Sequence, residues 1–253
     1  TILLENKIEF FNIGTPNNSG TVNIKNREDN FTFDVAEMRD VWYKTSFLLD
    51  QKQTANNLAQ DRFDNYKKQP LQYTFPKNFE GKLPKTNTKE TKPKAAIIRE
   101  KGSNSEREMA NAMYLAGFDV KDVHMTDLIS GRETLEDIQF IGAVGGFSNS
   151  DVLGSAKGWA GAFLYNAKAK KALKDFFKRD DTLSVGICNG AQLWMELDLI
   201  NPEHKVHGKL VHNDSQKHES SFTSVKIQEN DSIMLSSLAG AELGVWISHG
   251  EGK

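Results

Sequence analysis

Leu183-Ser-Val-Gly-Ile-Cys188-Asn-Gly-Ala-Gln-Leu193 decides how this chain is read. A short apolar run, Leu183 to Ile187, passes through Gly186-Ile187-Cys188-Asn189-Gly190 into residues with helical spacing, Ala191 to Leu199. Strand, G-x-C-x-G and helix in direct succession form the pattern of a nucleophile elbow, with cysteine in place of serine. The two glycines are expected to let the chain turn sharply and leave Cys188 exposed at the C-terminal edge of a sheet. The helix N-terminus behind it favours a thiolate and offers backbone N–H groups to an oxyanion. Read without chemistry, the same residues are a small buried cysteine in a loose glycine pattern.

Outward from this joint, strands and helices alternate. Ala95-Ala96-Ile97-Ile98 reads as a buried strand, and Ser105-Glu106-Arg107-Glu108 as a capping box. Met109, Ala112, Met113 and Ala116 then form one helical face that Gly117 ends. Phe118, Val120 and Val123 mark a second strand, and Ile138 to Val144 a third that ends in Gly145-Gly146. One helical stretch is expected over Trp159 to Phe177. This alternation predicts an α/β fold with a doubly wound, mostly parallel sheet. Leu210-Val211, Phe222 to Ile227 and Val245 to Ser248 read as later strands with no helices between them. Upstream, residues 76–94 hold three prolines, six lysines and almost no apolar side chain, which reads as a linker. Residues 1–75 read as a small α+β segment. Ile8, Phe10, Val22, Ile24, Phe31 and Phe33 fall in alternating stretches. Asp34, with Glu37 three residues on, predicts a helix from about Val35 whose apolar residues are Met38, Val41, Trp42 and Leu49. A second, polar helix is expected over Ala55 to Lys67.

Composition removes several function classes. The 253 residues are 38% hydrophobic and 26% charged, with a formal net charge of -2. That is a globular composition without the basic excess of a nucleic-acid or membrane-surface protein. No apolar run approaches the ~20 residues needed to cross a bilayer. The opening residues, with Glu5, Lys7 and Glu9, do not read as a signal peptide. A single cysteine, Cys188, excludes a disulfide scaffold and any zinc site built on two or more cysteines, and points to a reducing, cytoplasmic setting.

A cysteine nucleophile needs a base. His249 ends the run Val245-Trp246-Ile247-Ser248, so it is expected at a strand end beside the crevice where open α/β sheets bind ligands. Glu251, two residues on, is placed to orient the imidazole as a third triad member. The paired glycines of Val144-Gly145-Gly146-Phe147-Ser148 let backbone approach a ligand, so the N–H groups there and at Asn189 are candidates for an oxyanion hole. Each feature alone also fits a plain loop. His204, His207, His212 and His218 invite a metal reading, but they lack an H-E-x-x-H spacing and sit in a polar, lysine-bearing segment. No metal ligand is assigned. Gly154-Ser155-Ala156-Lys157-Gly158 is glycine-rich but lacks the G-K-[ST] of a phosphate loop.

GICNGAQL, AVGGFSNSDVLGSAKGWA and WISHGEGK together resemble the class I glutamine amidotransferase domain of the large, single-chain formylglycinamide ribonucleotide amidotransferases (phosphoribosylformylglycinamidine synthases) of purine biosynthesis. IIREKGSNSEREMANAMYLAGFDV resembles the start of that domain, HNDSQKHESSF its later strand region, and VAEMRDVWYKTSFLLDQKQ the end of the preceding synthetase domain. The resemblance implies a flavodoxin-like fold in which Cys188 is the nucleophile, His249 the general base and acid, and Glu251 its orienting residue. It also implies an oxyanion hole from the backbone at Gly146 and Asn189. Gln192 would help bind glutamine, and Phe147 and Ser148 would line the same loop. By the same resemblance, residues 1–75 are the remainder of a synthetase domain, 76–94 the linker, and 95–253 a glutaminase domain truncated at its C-terminus. No cofactor is expected in this chain. ATP and magnesium belong to synthetase domains outside it, and those domains and glutamine are the expected partners. Ala191 stands where many relatives carry a second cysteine. The residues by themselves also leave open a free-standing peptidase or γ-glutamyl hydrolase and a non-catalytic binding module.

Overall fold

The computed structural model describes residues 2–68, 71–82 and 91–253, and the chain divides into two compact units, Thr1–Pro70 and Leu71–Lys253. The first unit opens with one helical turn, α1 (Ile2–Glu5). An antiparallel hairpin follows, β1 (Thr21–Asn26) and β2 (Asp29–Asp34), paired from Thr21↔Asp34 to Asn26↔Asp29. Ile8 and Phe10 join neither strand. Ile8 instead donates its N–H to Leu3 O at 2.9 Å, and without a ladder an extended run is not a strand. Asp34 closes β2 and caps α2 (Val35–Gln53), its carboxylate accepting the Glu37 N–H at 2.9 Å, as the D-x-x-E spacing predicts. α3 (Leu58–Asn65) packs back on α2 through Phe47 and Phe63, stacked 4.4 Å apart. The stripe Met38, Val41, Trp42 and Leu49 lies in α2 as expected but is exposed, Trp42 to 79%.

The second unit is the α/β body. Its elements are β3 (Lys94–Arg99), β4 (Ser103–Asn104), α4 (Glu106–Leu115), β5 (Asp119–His124), α5 (Met125–Ser130), β6 (Phe140–Ala143), β7 (Gly145–Gly146), α6 (Lys157–Leu164), α7 (Ala167–Phe177), β8 (Leu183–Gly186), α8 (Asn189–Glu196), β9 (Glu219–Lys226) and β10 (Glu242–His249). Four strands form one all-parallel sheet in the order β5-β3-β6-β8. Counted along the chain that order is 2-1-3-4, the flavodoxin-like arrangement. The pleat of β3 sorts the core. Ala95 and Ile97 face Met113 of α4, while Ala96 and Ile98 face a larger cluster with Trp159, Phe163, Phe176 and Leu193 of α6, α7 and α8. Helices thus cover both sheet faces, and each large side chain fully buried there contributes about 1.5–3 kcal/mol.

Several local expectations are corrected. The capping box at Ser105 does not form: Ser105 is left-handed, φ 72°, and its side chain makes no cap bond. The single stretch Trp159 to Phe177 is two helices, because Asn166 turns its side chain onto the Lys168 and Ala169 N–H groups and starts α7 afresh. α5 had no sequence expectation. Its six residues are too few for a periodic signal, and it is held by reciprocal bonds between His124 and its first turn. Leu210-Val211 is not a strand; only His212 bridges, to Glu251. β10 forms its ladder with β9, antiparallel, and neither strand joins the parallel sheet. Thr74 exchanges both backbone hydrogen bonds with Glu242 at 2.9 Å, so residues 71–75 belong to this unit. Of the expected linker, residues 76–82 carry no helix or strand and residues 83–90 lie outside the described residues; Lys94 already belongs to β3.

Candidate active site

Cys188 sits between β8 and α8 at φ 54°, ψ -111°, as the N-terminal flanking residue of the helix. A non-glycine residue in that region is strained, and the packing of both flanking glycines imposes it. Sequence reasoning had the glycines making the turn. Instead neither Gly186 nor Gly190 has a positive φ; the cysteine itself takes it. The glycines are required for close approach. A Cβ at Gly186 would lie 2.6 Å from the Gly190 oxygen and from the Trp194 ring, and one at Gly190 would overlap the Ala143 carbonyl. α8 can therefore press against β6 and β8 only through bare backbone. The result is an exposed thiol at the C-terminal edge of the sheet. Its Sγ–H donates to the Ser248 carbonyl at 3.5 Å.

The paired glycines line the same edge. A Cβ at Gly145 would lie 3.2 Å from Cys188 Cβ. Gly146 has φ 108°, and a Cβ there would lie 2.7 Å from Asn104 N, so only glycine fits. Phe147 donates its N–H to Gly102 O at 2.9 Å. Hydrogen-bonded and non-bonded pairs alternate along an antiparallel ladder, so Gly146, paired with Ser103, turns its N–H away from β4. The Asn189 N–H opens α8 and has no intrahelical acceptor.

A polar chain ties this edge to the C-terminal segment. Asn189 Oδ1 accepts the Ser148 N–H at 3.2 Å and the Ser148 hydroxyl at 2.5 Å. Asn189 Nδ2 donates to Gln192 Oε1 at 2.8 Å, and Gln192 Nε2 donates to the Glu251 backbone oxygen at 2.9 Å. Gln192 borders the cleft, yet both ends of its amide are engaged with protein.

His249 ends β10. Its Nδ1 lies 2.9 Å from Asn213 Oδ1, and its ring packs on Gly252, where any Cβ would enter the ring. The orienting contact expected from Glu251 is thus made by Asn213. Glu251 instead accepts the Ser155 N–H at 2.5 Å and the Ser155 hydroxyl at 2.6 Å, and faces His212 Nδ1 at 3.5 Å. Those bonds hold a loop in which Asn149, Ser150, Asp151, Ser155 and Ala156 all have positive φ. Neither Asn213 nor Ser155 was singled out from sequence. Their partners lie 36 and 96 residues away, and no local spacing records such a contact.

One open cleft of about 860 Å³ gathers Gly146, Phe147, Cys188, Gln192, His249 and Glu251, with His212, His218 and Trp246 on its wall. Phe147 is 57% exposed at its rim. Among the described residues no three His, Cys, Asp or Glu side chains converge as metal ligands.

Residues 92–253 match the family of CobB/CobQ-like glutamine amidotransferase domains. A probable phosphoribosylformylglycinamidine synthase, chloroplastic/mitochondrial, of Arabidopsis thaliana is 41% identical over 229 residues, 85% of this chain and 16% of the relative. The human phosphoribosylformylglycinamidine synthase is 40% identical over 233 residues, 86% of this chain and 17% of the relative. The chain therefore spans about a sixth of the length of these relatives. Among solved structures, PurLQS from Thermotoga maritima superposes with a TM-score of 0.54 at 26% identity, covering 64% of this chain and 69% of that one.

Proposed function

The chain belongs to the CobB/CobQ-like glutamine amidotransferase family, and from that membership and its relatives we propose that it is the glutaminase portion of a phosphoribosylformylglycinamidine synthase, together with the end of the preceding synthetase domain in residues 1–70. The observation that carries the reading is Cys188, held at φ 54° on a strand-to-helix elbow in one cleft with His249. In the proposed reaction Cys188 Sγ attacks the side-chain amide carbon of glutamine, and His249 takes the thiol proton. His249 then delivers that proton to the departing nitrogen, so ammonia leaves and a γ-glutamyl thioester remains. Water, deprotonated by His249, attacks the thioester, and glutamate and the thiol are released. The N–H groups of Gly146 and Asn189 are the proposed donors to both tetrahedral oxyanions, each worth about 10²–10³ in rate. Phe147 rims the glutamine pocket, and Gln192 supports its floor.

The ammonia serves the synthetase reaction, which amidates formylglycinamide ribonucleotide with ATP and magnesium. Both belong to the synthetase domains of a longer chain, which are the proposed partners. The exposed stripe of α2, with Trp42 and Val41, supports a surface that such domains cover. No helix among the described residues is long and apolar enough to cross a membrane, and a reducing compartment such as the cytoplasm suits the single thiol.

Labelling with 6-diazo-5-oxo-norleucine, a reactive glutamine analogue, tests the reading by intact mass and peptide mapping. One adduct on Cys188, blocked by glutamine and lost in His249→Ala, is expected. A thiol that takes a general alkylating reagent but never the glutamine analogue overturns it.

A further inference from the structure

We propose that Ser148 and Asn189 are a positioning pair that fixes the spacing of the two N–H donors of the oxyanion hole. Those donors, Gly146 and Asn189, come from separate stretches of chain, β7 and the start of α8. An oxyanion hole works only if both N–H groups lie about 2.7–3.1 Å from one point, so the two stretches must be tied together. The Asn189 side chain ties them. Its Oδ1 accepts the Ser148 N–H at 3.2 Å and the Ser148 hydroxyl at 2.5 Å, across 41 residues of sequence. Both side chains are buried, each 1% exposed. Asn189 thus supplies one donor with its backbone and grips the segment of the other with its side chain.

The amide has one orientation. A backbone N–H only donates, so the end facing Ser148 is the carbonyl oxygen, and both of its lone pairs are used. The other end, Nδ2, donates to Gln192 Oε1 at 2.8 Å. The loop needs such a hold. Gly146 has φ 108°, and Asn149 and Ser150 have φ 52° and 57°; the two non-glycine residues keep that conformation only where the surroundings over-determine it. The N–H groups of Phe147 and Asn149 donate to the Gly102 and Lys101 carbonyls, each at 2.9 Å, and secure its outer side. Ser148 reaches inward and secures it to α8. The use of the two donors rests on the glutaminase reading; the clamp itself does not.

The experiment combines amide proton–nitrogen spectra with kinetics on the whole chain, for the parent, Ser148→Ala, Asn189→Ala and the double variant. The parent is expected to show the Gly146 N–H as one sharp signal. In Asn189→Ala it should broaden or split as the loop samples a second orientation, while the signals of Ile98 and Ile141, buried in the sheet, hold their positions and report an intact fold. Ser148→Ala, the milder change, carries the same readouts if Asn189→Ala does not fold. Glutamine hydrolysis should fall on the order of 10²-fold in kcat in Asn189→Ala and about tenfold in Ser148→Ala, with a smaller change in KM. The double variant should be no worse than Asn189→Ala, because both changes remove the same contact. Alkylation of Cys188 by iodoacetamide, which passes through no oxyanion, should keep its rate throughout. A Gly146 signal that stays sharp and unshifted in the variants overturns the proposal. So do kcat losses that multiply in the double variant, or an iodoacetamide rate that falls in step with kcat. If the Gly146 signal responds as stated while Cys188 of the parent takes no glutamine-analogue adduct, the glutaminase reading fails and the clamp stands.

Discussion

Cys188 carries strain that its own side chain would not choose. A non-glycine residue at positive φ costs of order 1–3 kcal/mol, and such strain persists only where the surroundings over-determine it. Here Gly186 and Gly190 press bare backbone against Trp194 and Ala143 and leave no other path. Cys188→Gly is therefore expected to melt above Cys188→Ala, by the equivalent of about 1 kcal/mol, while neither hydrolyses glutamine; thermal unfolding of the pair measures the difference. The reverse change is costly. Gly190→Ala drives a methyl into the Ala143 carbonyl, and a loss of about 3 kcal/mol is expected in denaturant unfolding. At this scale the sequence was informative about identity and not about cause. G-x-C-x-G marked the strand-to-helix elbow at Cys188, but the glycines matter through contacts with β6 and α8 that the pattern alone does not display.

Elements here are placed by their ends. α5 has only six residues, and its start rests on Asp127, which accepts the His124 N–H at 3.1 Å and pairs with Arg132. The Arg132 guanidinium, and then the His124 N–H, hold the Asp127 carboxyl below its ordinary value. A folded carboxyl that titrates below its unfolded value stabilises fully above about pH 4 and loses that contribution as the pH falls through the folded value. Asp127→Ala should thus cost about 1 kcal/mol at neutral pH, with the gap to the parent closing in acid; unfolding midpoints across that range check it. The loop before α6 is held from far away. Glu251 clasps Ser155 over a run of left-handed residues, so Glu251→Gln should raise protease cleavage within residues 149–156 while β10 stays protected.

For the molecule as a whole, stability is concentrated in the larger cluster on one face of the parallel sheet. Phe163 is 1% exposed within it, and Phe163→Ala is expected to cost about 3–5 kcal/mol. Phe10→Ala, at a position 45% exposed, should change the unfolding midpoint little. The cleft lies where the ends of β6 and β8 meet the open end of the β9–β10 pair, at Glu219 and His249, so each wall comes from a different stretch of chain. Losing the core loosens every wall together. Labelling of Cys188 should therefore decline in Phe163→Ala at temperatures where the parent still labels.

The sequence by itself determined the parallel α/β body, the elbow at Cys188, and the place of His249 at the end of a strand. Each of these is written in local signals: apolar periodicity, a glycine pair at fixed spacing, a histidine ending a strand. Tertiary structure alone decided which side chain holds His249, what Glu251 grips, why Gly186 and Gly190 must lack a Cβ, and that β10 stands outside the parallel sheet. Those outcomes depend on atoms from segments tens of residues apart reaching hydrogen-bond or van der Waals distance. That information lies in the packing of the folded chain and not in the spacing of its residues.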